Sequence, residues 1–389
     1  MYVRMPQIHS KTNDREEKTM RKLASIQTIL KIETIEGADQ IEKVTVLGWQ
    51  CVAGKGQFKE GESIIYIEID AIIPDIEPFW FIKPKEATND KWRRIRTRRF
   101  LKQISQGLVM PTTILPSGEY KIGEDVTEIL GIEKYEPPIP TQLQGLIKGG
   151  FPSFIPRTDE TRVQVLQDVL TRYKGTQCYI TEKVDGSSCT IFLNTCKVCG
   201  GESQSVNVET GEVENCEECQ GTGKAFGVCS RNLELKETSG NGFWKVVRET
   251  DIEGKLRKIG KNIALQGELC GTGIQKNPLK IDGTKILFFN LFNIDKYQYY
   301  DCLEFITFIQ EIGLETVPII STAFALTDDI EELVRIATRK SAITPKVNAE
   351  GIVIRPLIEK VDLQMSSGYS SGRLTFKSVN PEYLLEHDG

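Results

Sequence analysis

Short runs of alternating apolar and polar residues occupy the first third of the chain, and glycines such as Gly37, Gly54 and Gly61 separate them. Such runs are typical of β-strands, and several short strands at this spacing are typical of a small barrel. We therefore predict an OB-fold β-barrel over residues 21–136, after a flexible polar leader at 1–20. The predicted strands of this barrel are 26–32, 41–46, 50–53, 63–69 and 107–110.

A proline-rich stretch at 137–157 predicts a linker, because prolines at this density prevent a helix. Beyond it, over 158–389, helix and strand patterns alternate. Thr158 or Asp159 is the predicted cap of the first helix, and Asp328 and Glu331 are spaced as a capping box for the last. The predicted helices are 160–173, 242–259 and 329–341, and the predicted strands are 178–182, 187–193, 263–269, 286–292, 350–354 and 373–379.

The composition is that of a globular protein, since 39% of the 389 residues are hydrophobic and 26% are charged. This length suits two or three domains of ordinary size. No run approaches the roughly 18 apolar residues of a membrane span, and the first residues lack the apolar stretch of a signal peptide. The expected location is therefore the cytosol or the nucleus.

Histidine is almost absent, with only His9 and His387 in the whole chain. This argues against a serine–histidine triad, a histidine-ligated catalytic zinc and histidine acid–base chemistry. Any catalysis would use Lys, Arg, Asp, Glu or a bound metal ion.

A strongly basic segment at 91–102 contrasts with the net charge of −5 for the whole chain. It contains seven Lys or Arg residues and no Asp or Glu, and Trp92 and Phe100 lie among them. Such a segment can bind a phosphate backbone and stack on bases, and the alternative is a solvated basic loop. The candidate phosphate contacts are Arg93, Arg94, Arg98 and Arg99.

Two Cys-x-x-Cys pairs, separated by sixteen residues, account for four of the ten cysteines. In a chain without a secretory signal this spacing points to zinc rather than to disulfides, and the alternative is free surface thiols. Because all four positions are thiolates and none is left open for water, zinc would be structural. The candidate ligands are Cys196, Cys199, Cys216 and Cys219, in an insert at about 195–224.

The sequence Lys-Val-Asp-Gly at 183–186 lies between two predicted strands. A lysine at a strand end, beside a tight turn formed by Asp and Gly, can expose its amine to a ligand. If this motif is considered alone, a surface β-turn explains it about as well as a ligand-binding lysine does.

Five further motifs follow this lysine in order. They are Ser-Arg-Asn at 230–232, Gly-Glu-Leu-Cys-Gly at 267–271, Phe-Phe-Asn-Leu-Phe-Asn-Ile at 288–294, Glu-Gly-Ile-Val-Ile-Arg at 350–355 and Leu-Thr-Phe-Lys at 374–377. Together with the lysine they resemble motifs I, Ia, III, IIIa, IV and V of the covalent nucleotidyltransferase superfamily of polynucleotide ligases and RNA-capping enzymes.

Two longer phrases, FPSFIPRTDETRVQ at 151–164 and GELCGTGIQKN at 267–277, narrow the resemblance to RNA ligases of the Naegleria type, as does the N-terminal OB-like domain. The resemblance extends from about residue 22 to 385. It implies an α+β fold in which a nucleotidyltransferase domain of antiparallel sheets with flanking helices follows the OB-fold and carries the zinc-binding insert.

The resemblance also implies roles for single residues. Lys183 would attack the α-phosphate of ATP and hold AMP, and Glu350 would organise Mg²⁺ or Mn²⁺ near the phosphates. Arg162 would contact an RNA phosphate. The catalytic residues are then Lys183, Glu350, Lys377 and Arg231, and the nucleotide contacts are Glu182, Asp185, Gly186, Arg231, Glu268, Phe292 and Lys377.

Motif V departs from the common Lys-x-Lys form, because Thr375 occupies the first lysine position. Arg373 lies nearby, and the sequence leaves open which residue supplies the second cation.

The implied function is an ATP-dependent RNA ligase, acting as a monomer on nicked or duplex RNA ends. A DNA ligase and a capping guanylyltransferase are the nearest alternatives, but both usually carry the OB domain after the lysine domain. A non-catalytic RNA-binding protein built from the OB domain and the zinc knuckle is an alternative of another class, which an intact Lys183 with its companion motifs disfavours.

Overall fold

The structure is a computed structural model that describes residues 22–87, 89–135, 145–206, 211–362, 365 and 372–387. The predicted leader at 1–20 and the first part of the predicted linker, 137–144, lie outside the described residues. Within the described part of the chain, no helix is long and apolar enough to cross a membrane.

Strands outnumber helices among the described residues. The strands are β1 (Ala24–Thr34), β2 (Ile41–Val46), β3 (Trp49–Gly54), β4 (Ser63–Ile67), β5 (Ala71–Ile72), β6 (Arg98–Phe100), β7 (Gln103–Ser105), β8 (Leu108–Pro111), β9 (Glu133–Lys134), β10 (Ile147–Gly150), β11 (Thr161–Arg162), β12 (Gln177–Lys183), β13 (Ser187–Thr195), β14 (Gln204–Val206), β15 (Val213–Asn215), β16 (Lys224–Cys229), β17 (Leu233–Leu235), β18 (Ile263–Gly271), β19 (Thr284–Asn293), β20 (Gln298–Tyr299), β21 (Ile319–Ala325), β22 (Gly351–Pro356) and β23 (Phe376–Val379). The α-helices are α1 (Gln167–Arg172), α2 (Gly242–Glu249), α3 (Ile252–Ile259), α4 (Cys302–Glu311), α5 (Ile330–Ala337) and α6 (Pro381–His387).

The N-terminal strands form a five-stranded sheet in the order β3-β2-β1-β4-β8. Strand β1 pairs with both β2 and β4, and a bulge between Ile29 and Lys31 bends it where the partner changes. Successive side chains of β4 enter two different cores, since Ile65 and Ile67 pack in one and Ile64 and Tyr66 in the other. This is the strand arrangement of an OB-fold, as the sequence predicts.

The C-terminal part contains two larger sheets, one of seven strands (β10-β17-β16-β13-β18-β19-β20) and one of five (β11-β23-β22-β12-β21). Strand pairs are antiparallel, except that β11 runs parallel to β23. Strand β12 belongs to the five-stranded sheet and β13 to the seven-stranded one. The short turn between them, which begins after Lys183, therefore passes from one sheet to the other.

Helices cover the outer faces of these sheets. Side chains of α2, α3 and α4 pack on the seven-stranded sheet, and α1 and α5 pack on the five-stranded one. The prediction of one helix over 242–259 is wrong, because Asp251 adopts a left-handed conformation with φ of 49° between α2 and α3. Its carboxylate then caps α3 by accepting from the amide of Gly254.

The prediction of a helix over 160–173 is also wrong in its first half. Residues 161–162 form β11, 163–165 form a 3-10 turn, and α1 covers only Gln167–Arg172. The chain stays extended because Arg162 lies in parallel register with Lys377, and because the carbonyl of Gln164 accepts from the amide of Gly48 in the OB-fold domain. Neither Thr158 nor Asp159 caps a helix here.

The predicted helix over 329–341 is α5, which ends at Ala337. Its cap is Asp329, whose carboxylate accepts from the amide of Glu332 at 3.1 Å, so the capping positions lie one residue later than predicted. Beyond the helix the chain is held in another way, since Lys340 forms a β-bridge with Asn348 and the hydroxyl of Ser341 donates to the carboxylate of Glu182 on β12.

Candidate active site and zinc site

Lys183 lies at the junction of the two larger sheets, immediately before the turn that connects them. Lys183 is the last residue of β12 and lies opposite Gly351 of β22, while Val184 is buried and anchors the turn. Gly186 is required by a close approach, since a Cβ on it would lie 2.3 Å from the carbonyl oxygen of Leu269. The sequence Lys-x-Asp-Gly therefore holds the lysine against β18 of the neighbouring sheet.

The amine of Lys183 forms an ion pair with Glu350, which immediately precedes β22. Burial alone would lower the pKa of Lys183, but the negative charge of Glu350 outweighs burial and raises it, and Asp185, together with Glu268 where that group is ionised, adds to the rise. Without a nucleotide or metal ion, the lysine is therefore a positively charged ammonium group. An amine must be neutral to act as a nucleophile, so this ion pair has to be broken before any attack.

Two acidic side chains beside Lys183 have raised pKa values because they are buried. Burial raises the pKa of Glu350, and it raises the pKa of Glu268 to about 8, although the positive charge of Lys183 opposes both shifts. One carboxylate oxygen of Glu350, Oε2, is buried and makes no hydrogen bond within the described structure. A buried carboxylate oxygen of this kind fits a divalent cation, because Mg²⁺ and Mn²⁺ bind carboxylate oxygens.

A second group of charges lies where β11 and β23 run side by side. Asp159 joins two cations, since its carboxylate lies 3.1 Å from Nζ of Lys377 and 3.3 Å from Nη2 of Arg231. Burial opposes the ionisation of Asp159, but these two cations lower its pKa to about 2. Burial lowers the pKa of Lys377, and the nearby charge of Arg162 lowers it further while Asp159 opposes the shift. Lys377 and Arg231 are thus brought together, as expected for two residues that contact one phosphate.

Arg162 lies beside this group and reaches into the OB-fold domain. Its guanidinium is 3.8 Å from the carboxylate of Asp70 and lies over the ring of Trp49 at 5.6 Å. Its position next to Lys377 in the register of β11 and β23 places it at the boundary between the two domains. Its predicted contact with an RNA phosphate stays a prediction.

Two predicted nucleotide contacts are engaged with protein groups in this structure. Phe292 is only 1% exposed, and the rings of Tyr297 and Tyr299 lie edge-on to it at 5.3 and 5.0 Å. Adenine could stack on Phe292 only if a neighbouring side chain moved. The carboxylate of Glu182 accepts from the Ser341 hydroxyl and from a backbone amide at 2.6 Å, which holds the following loop against β12. The nucleotide roles of both residues stay predictions.

The contacts of Arg373 argue against it as the second phosphate-binding cation of motif V. The guanidinium of Arg373 is 6% exposed, pairs with Glu359, donates to Asn290 at 2.8 Å and stacks on Tyr299 at 3.8 Å. Arg373 therefore connects the segment before β23 to the seven-stranded sheet, and it is not free to bind phosphate. The buried hydroxyl of Thr375, at the first lysine position, has no partner among the described residues.

The basic segment at 91–102 of the OB-fold domain has fewer side chains accessible to a nucleic acid than the sequence suggests. Arg93 donates to the carbonyl of Ile73, Arg94 pairs with Asp70, and Arg99 pairs with Glu382 of α6. The prediction that Trp92 could stack on bases is wrong, because this ring is only 9% exposed within the domain core. Arg98 is exposed and Phe100 is 42% exposed, so these two side chains are accessible on β6.

The four cysteines of the insert form one buried cluster between β13 and β16. Their sulfur atoms all lie within 4.8 Å of one another, with Cys196 and Cys216 3.8 Å apart and Cys199 and Cys219 3.6 Å apart. Four sulfurs at about 2.3 Å from a central zinc ion would be about 3.8 Å apart, so the cluster fits tetrahedral zinc. Glycines shape the loops around the sulfurs, because Gly200, Gly201, Gly221 and Gly223 all have positive φ angles.

Two residues of the site were missed by the sequence analysis. Asp159 was assigned to a helix cap, and Tyr383, whose hydroxyl donates to the carboxylate of Asp185, was not considered. The acidic pair at 159–160, separated by one residue from the predicted phosphate-binding Arg162, could have drawn attention to Asp159. No sequence pattern marks Tyr383, since its contact joins residues 198 positions apart.

Two family profiles match parts of the chain. The family profile described as RNA ligase matches residues 176–379, and an OB-fold domain profile matches residues 23–112. A comparison with curated protein sequences gives no match.

Solved structures of Naegleria gruberi RNA ligase are similar over almost the full length. An apo mutant is 34% identical, with a TM-score of 0.76, covering 95% of this chain and 98% of that one. A mutant with AMP and Mn is also 34% identical, with a TM-score of 0.77 and coverage of 95% and 99%. A mutant with ATP and Mn is 33% identical, with a TM-score of 0.77 and coverage of 94% and 99%. The chain therefore belongs to the RNA ligase family.

Proposed function

We propose that this protein is an ATP-dependent RNA ligase that joins a 3′-hydroxyl to a 5′-phosphate through a lysyl-AMP intermediate on Lys183. The observation that carries the proposal is the position of this amine, which lies among Glu350, Glu268 and Asp185 at the junction of two sheets. The two cations that pair with Asp159, Lys377 on β23 and Arg231 in the turn between β16 and β17, suit the phosphate that the amine would attack.

In the first step the Nζ nitrogen of Lys183 attacks the α-phosphorus of ATP. A nitrogen–phosphorus bond forms, and the bond from the α-phosphorus to the leaving pyrophosphate oxygen breaks. The lysine must first lose a proton, which the carboxylate of Glu350, its ion-pair partner, would pass on to solvent before that carboxylate binds a metal ion. A divalent cation held by Glu350 would lower the lysine pKa and offset phosphate charge.

In the second step a 5′-phosphate oxygen of RNA attacks the α-phosphorus, and the nitrogen–phosphorus bond to Lys183 breaks. In the third step the 3′-hydroxyl loses its proton and attacks the RNA 5′-phosphorus, and the bond from that phosphorus to the leaving AMP breaks. Lys377 and Arg231 would hold the α-phosphate in these transfers, Glu268 would accept from a ribose hydroxyl, and Phe292 would stack on adenine. Each transfer requires positioned charges more than acid–base groups, which agrees with the shortage of histidine.

The solved relatives support the nucleotide and the metal, because Naegleria gruberi RNA ligase mutants are known with ATP and Mn and with AMP and Mn. We infer the same cofactors for this chain, with Mg²⁺ as an alternative to Mn²⁺ and structural zinc in the insert. The OB-fold domain and the exposed Arg98 suit nicked or duplex RNA ends.

Peptide mass spectrometry after incubation with ATP and Mg²⁺ or Mn²⁺ tests the proposal. We expect one AMP adduct, on Lys183, which is lost in Lys183→Ala and Lys183→Arg. The matched control is Lys245→Arg, a surface lysine on α2, which keeps the adduct. An adduct on another lysine, or none with any nucleotide, would contradict the proposal, and a GMP adduct would favour a capping enzyme.

A further inference from the structure

The C-terminal helix α6 lies between the Lys183 pocket and the OB-fold domain. It directly follows β23, and its first turn is fixed by Asn380, which is fully buried. The Asn380 side chain donates to the carbonyl of Ala349 at 2.9 Å, and its backbone amide donates to the carbonyl of Glu350 at 2.8 Å. The helix is therefore tied to the segment that carries the ion-pair partner of Lys183.

Three consecutive residues of α6 make contacts with two parts of the protein, the OB-fold domain and the Lys183 pocket. The carboxylate of Glu382 binds Arg99 of the OB-fold domain at 2.6 Å. The hydroxyl of Tyr383 donates to the carboxylate of Asp185, two residues after the lysine. Leu384 packs against the core of the OB-fold domain. The helix thus contacts the OB-fold domain on both sides of the residue that reaches into the pocket.

The hydrogen bond between Tyr383 and Asp185 is shielded from water. Tyr383 is only 3% exposed, so water competes little for its hydroxyl. Burial and the negative charge of Asp185 raise the pKa of Tyr383, so the hydroxyl stays protonated and remains a donor. Asp185 lies in a turn with no regular backbone pairing of its own, so this hydrogen bond restricts where the carboxylate can point.

We propose that Tyr383 is a positioning residue that orients Asp185 beside Lys183, and that α6 links the seating of the OB-fold domain to this orientation. This inference rests on the proposed function, because it assigns Asp185 to the lysine adenylylation site. Its consequence is that loss of the Tyr383 hydroxyl changes the rate of AMP transfer rather than the binding of ATP.

The main test compares Tyr383→Phe with wild type in single-turnover adenylylation by ATP and Mn²⁺. A hydrogen bond to a charged group accounts for roughly a tenfold effect, so we expect the rate constant to fall about tenfold while the ATP concentration at half-saturation stays unchanged. The matched control is Tyr120→Phe, which removes a hydroxyl bonded to the carbonyl of Pro116 at the surface of the OB-fold domain. This control should keep the wild-type rate.

A double-mutant cycle separates positioning from general destabilisation. If Tyr383 acts through Asp185, then Tyr383→Phe should cause no further loss in the Asp185→Ala background, which has no side-chain acceptor for the hydroxyl. An equal loss in both backgrounds would overturn the inference, as would a wild-type rate for Tyr383→Phe.

Glu382→Gln is a second variant that creates no cavity, because its side chain is 43% exposed. It removes the ion pair with Arg99, and we expect about a twofold slower rate that disappears when Tyr383→Phe is also present. An unchanged rate would overturn the link to the OB-fold domain. A wild-type protein that forms no adduct would instead overturn the proposed function and this inference together, so the two failures are distinguishable.

Discussion

The carboxyl group of Glu268 illustrates how burial controls charge in the pocket. In the folded protein, burial raises its pKa from 4.5 to about 8. Between these two values the folded protein keeps a proton on Glu268 that the unfolded chain has lost, so folding becomes less favourable as pH rises. We predict that the free energy of unfolding decreases from pH 5 toward pH 8 in buffer without Mg²⁺ or Mn²⁺, and that Glu268→Gln makes this decrease smaller.

Urea denaturation at several pH values measures this effect. Glu249→Gln is the control, since Glu249 is an exposed residue on α2 and its loss should leave the pH profile unchanged. Identical pH profiles for wild type and Glu268→Gln would show that Glu268 is ionised in the folded protein.

The carboxylate of Asp159 pairs with both Lys377 and Arg231, the two cations proposed to bind phosphate, so we expect it to compete with phosphate for them. We predict that Asp159→Asn binds AMP more tightly, since the two cations then lack an internal anion. Asp159 is partly exposed and solvent screens the interaction, so we expect roughly a fivefold lower dissociation constant, or about 1 kcal/mol. Isothermal titration calorimetry with AMP measures it.

The matched control for Asp159→Asn is Asp328→Asn, which breaks an exposed pair with Lys174 on another surface. Its AMP affinity should equal that of wild type. Weaker binding by Asp159→Asn would mean that Asp159 holds the two cations in place for the phosphate instead of competing with it.

Sequence reasoning found the residues of the pocket that belong to short motifs. Lys183, Glu350 and Lys377 could be found because each lies at a strand end within a recognisable phrase. Asp159 was overlooked although it lies near Arg162, and Tyr383 could not be found, since its partner comes from a segment far away along the chain. A motif records which residues are near one another in sequence, whereas these contacts depend on how β23 and α6 pack.

At the scale of elements, hydrophobic periodicity predicted strands better than helix boundaries. The strand at 41–46 is reproduced at both ends, because alternating burial along β2 follows the alternating sequence. The helix predicted over 242–259 is divided in two at Asp251. A single residue in the left-handed conformation can end one helix and start the next without disturbing the pattern of apolar positions. The failure over 160–173 has another cause, because the backbone there is bound by β23 and by the OB-fold domain.

We expect the insert at about 195–224 to depend on zinc for its stability. Val206 and Val213 of the β14–β15 hairpin are each 63% exposed, so the described residues of the insert, 195–206 and 211–224, bury few apolar side chains beyond the four cysteines. We predict about one zinc per chain, with Zn–S distances of about 2.3 Å. Removing zinc should unfold the insert and slow adenylylation without removing a catalytic group, because the insert connects β13 to β16.

Elemental analysis of purified variants checks the zinc site. Cys199→Ser and Cys216→Ser should lose the metal. Cys189→Ser and Cys229→Ser are the controls, because both cysteines are buried within the sheet, outside the cluster, and their variants should keep zinc. A wild-type protein without zinc, purified under reducing conditions and without chelator, would contradict the prediction.

At the scale of the whole molecule, close backbone contact joins the two domains. The amide of Gly48 donates to the carbonyl of Gln164 at 2.9 Å. A Cβ at Gly48 would lie 2.8 Å from the side chain of Ile330, so only glycine allows this approach. The order of the two domains could be predicted from the sequence, but this packing could not, because it depends on surfaces that form only after each domain has folded.

The OB-fold domain offers a narrower RNA-binding surface than its basic sequence suggests, because Arg93, Arg94 and Arg99 already have protein partners. We predict that Arg98→Ala weakens binding to a nicked RNA duplex and makes the slope of log K against log salt about one unit less negative, as for the loss of one phosphate contact. Arg335→Ala, an exposed arginine on α5, is the control and should bind as wild type does. Fluorescence anisotropy over a range of salt concentrations measures both. An unchanged slope for Arg98→Ala would show that β6 carries no phosphate contact and that the segment is a solvated loop.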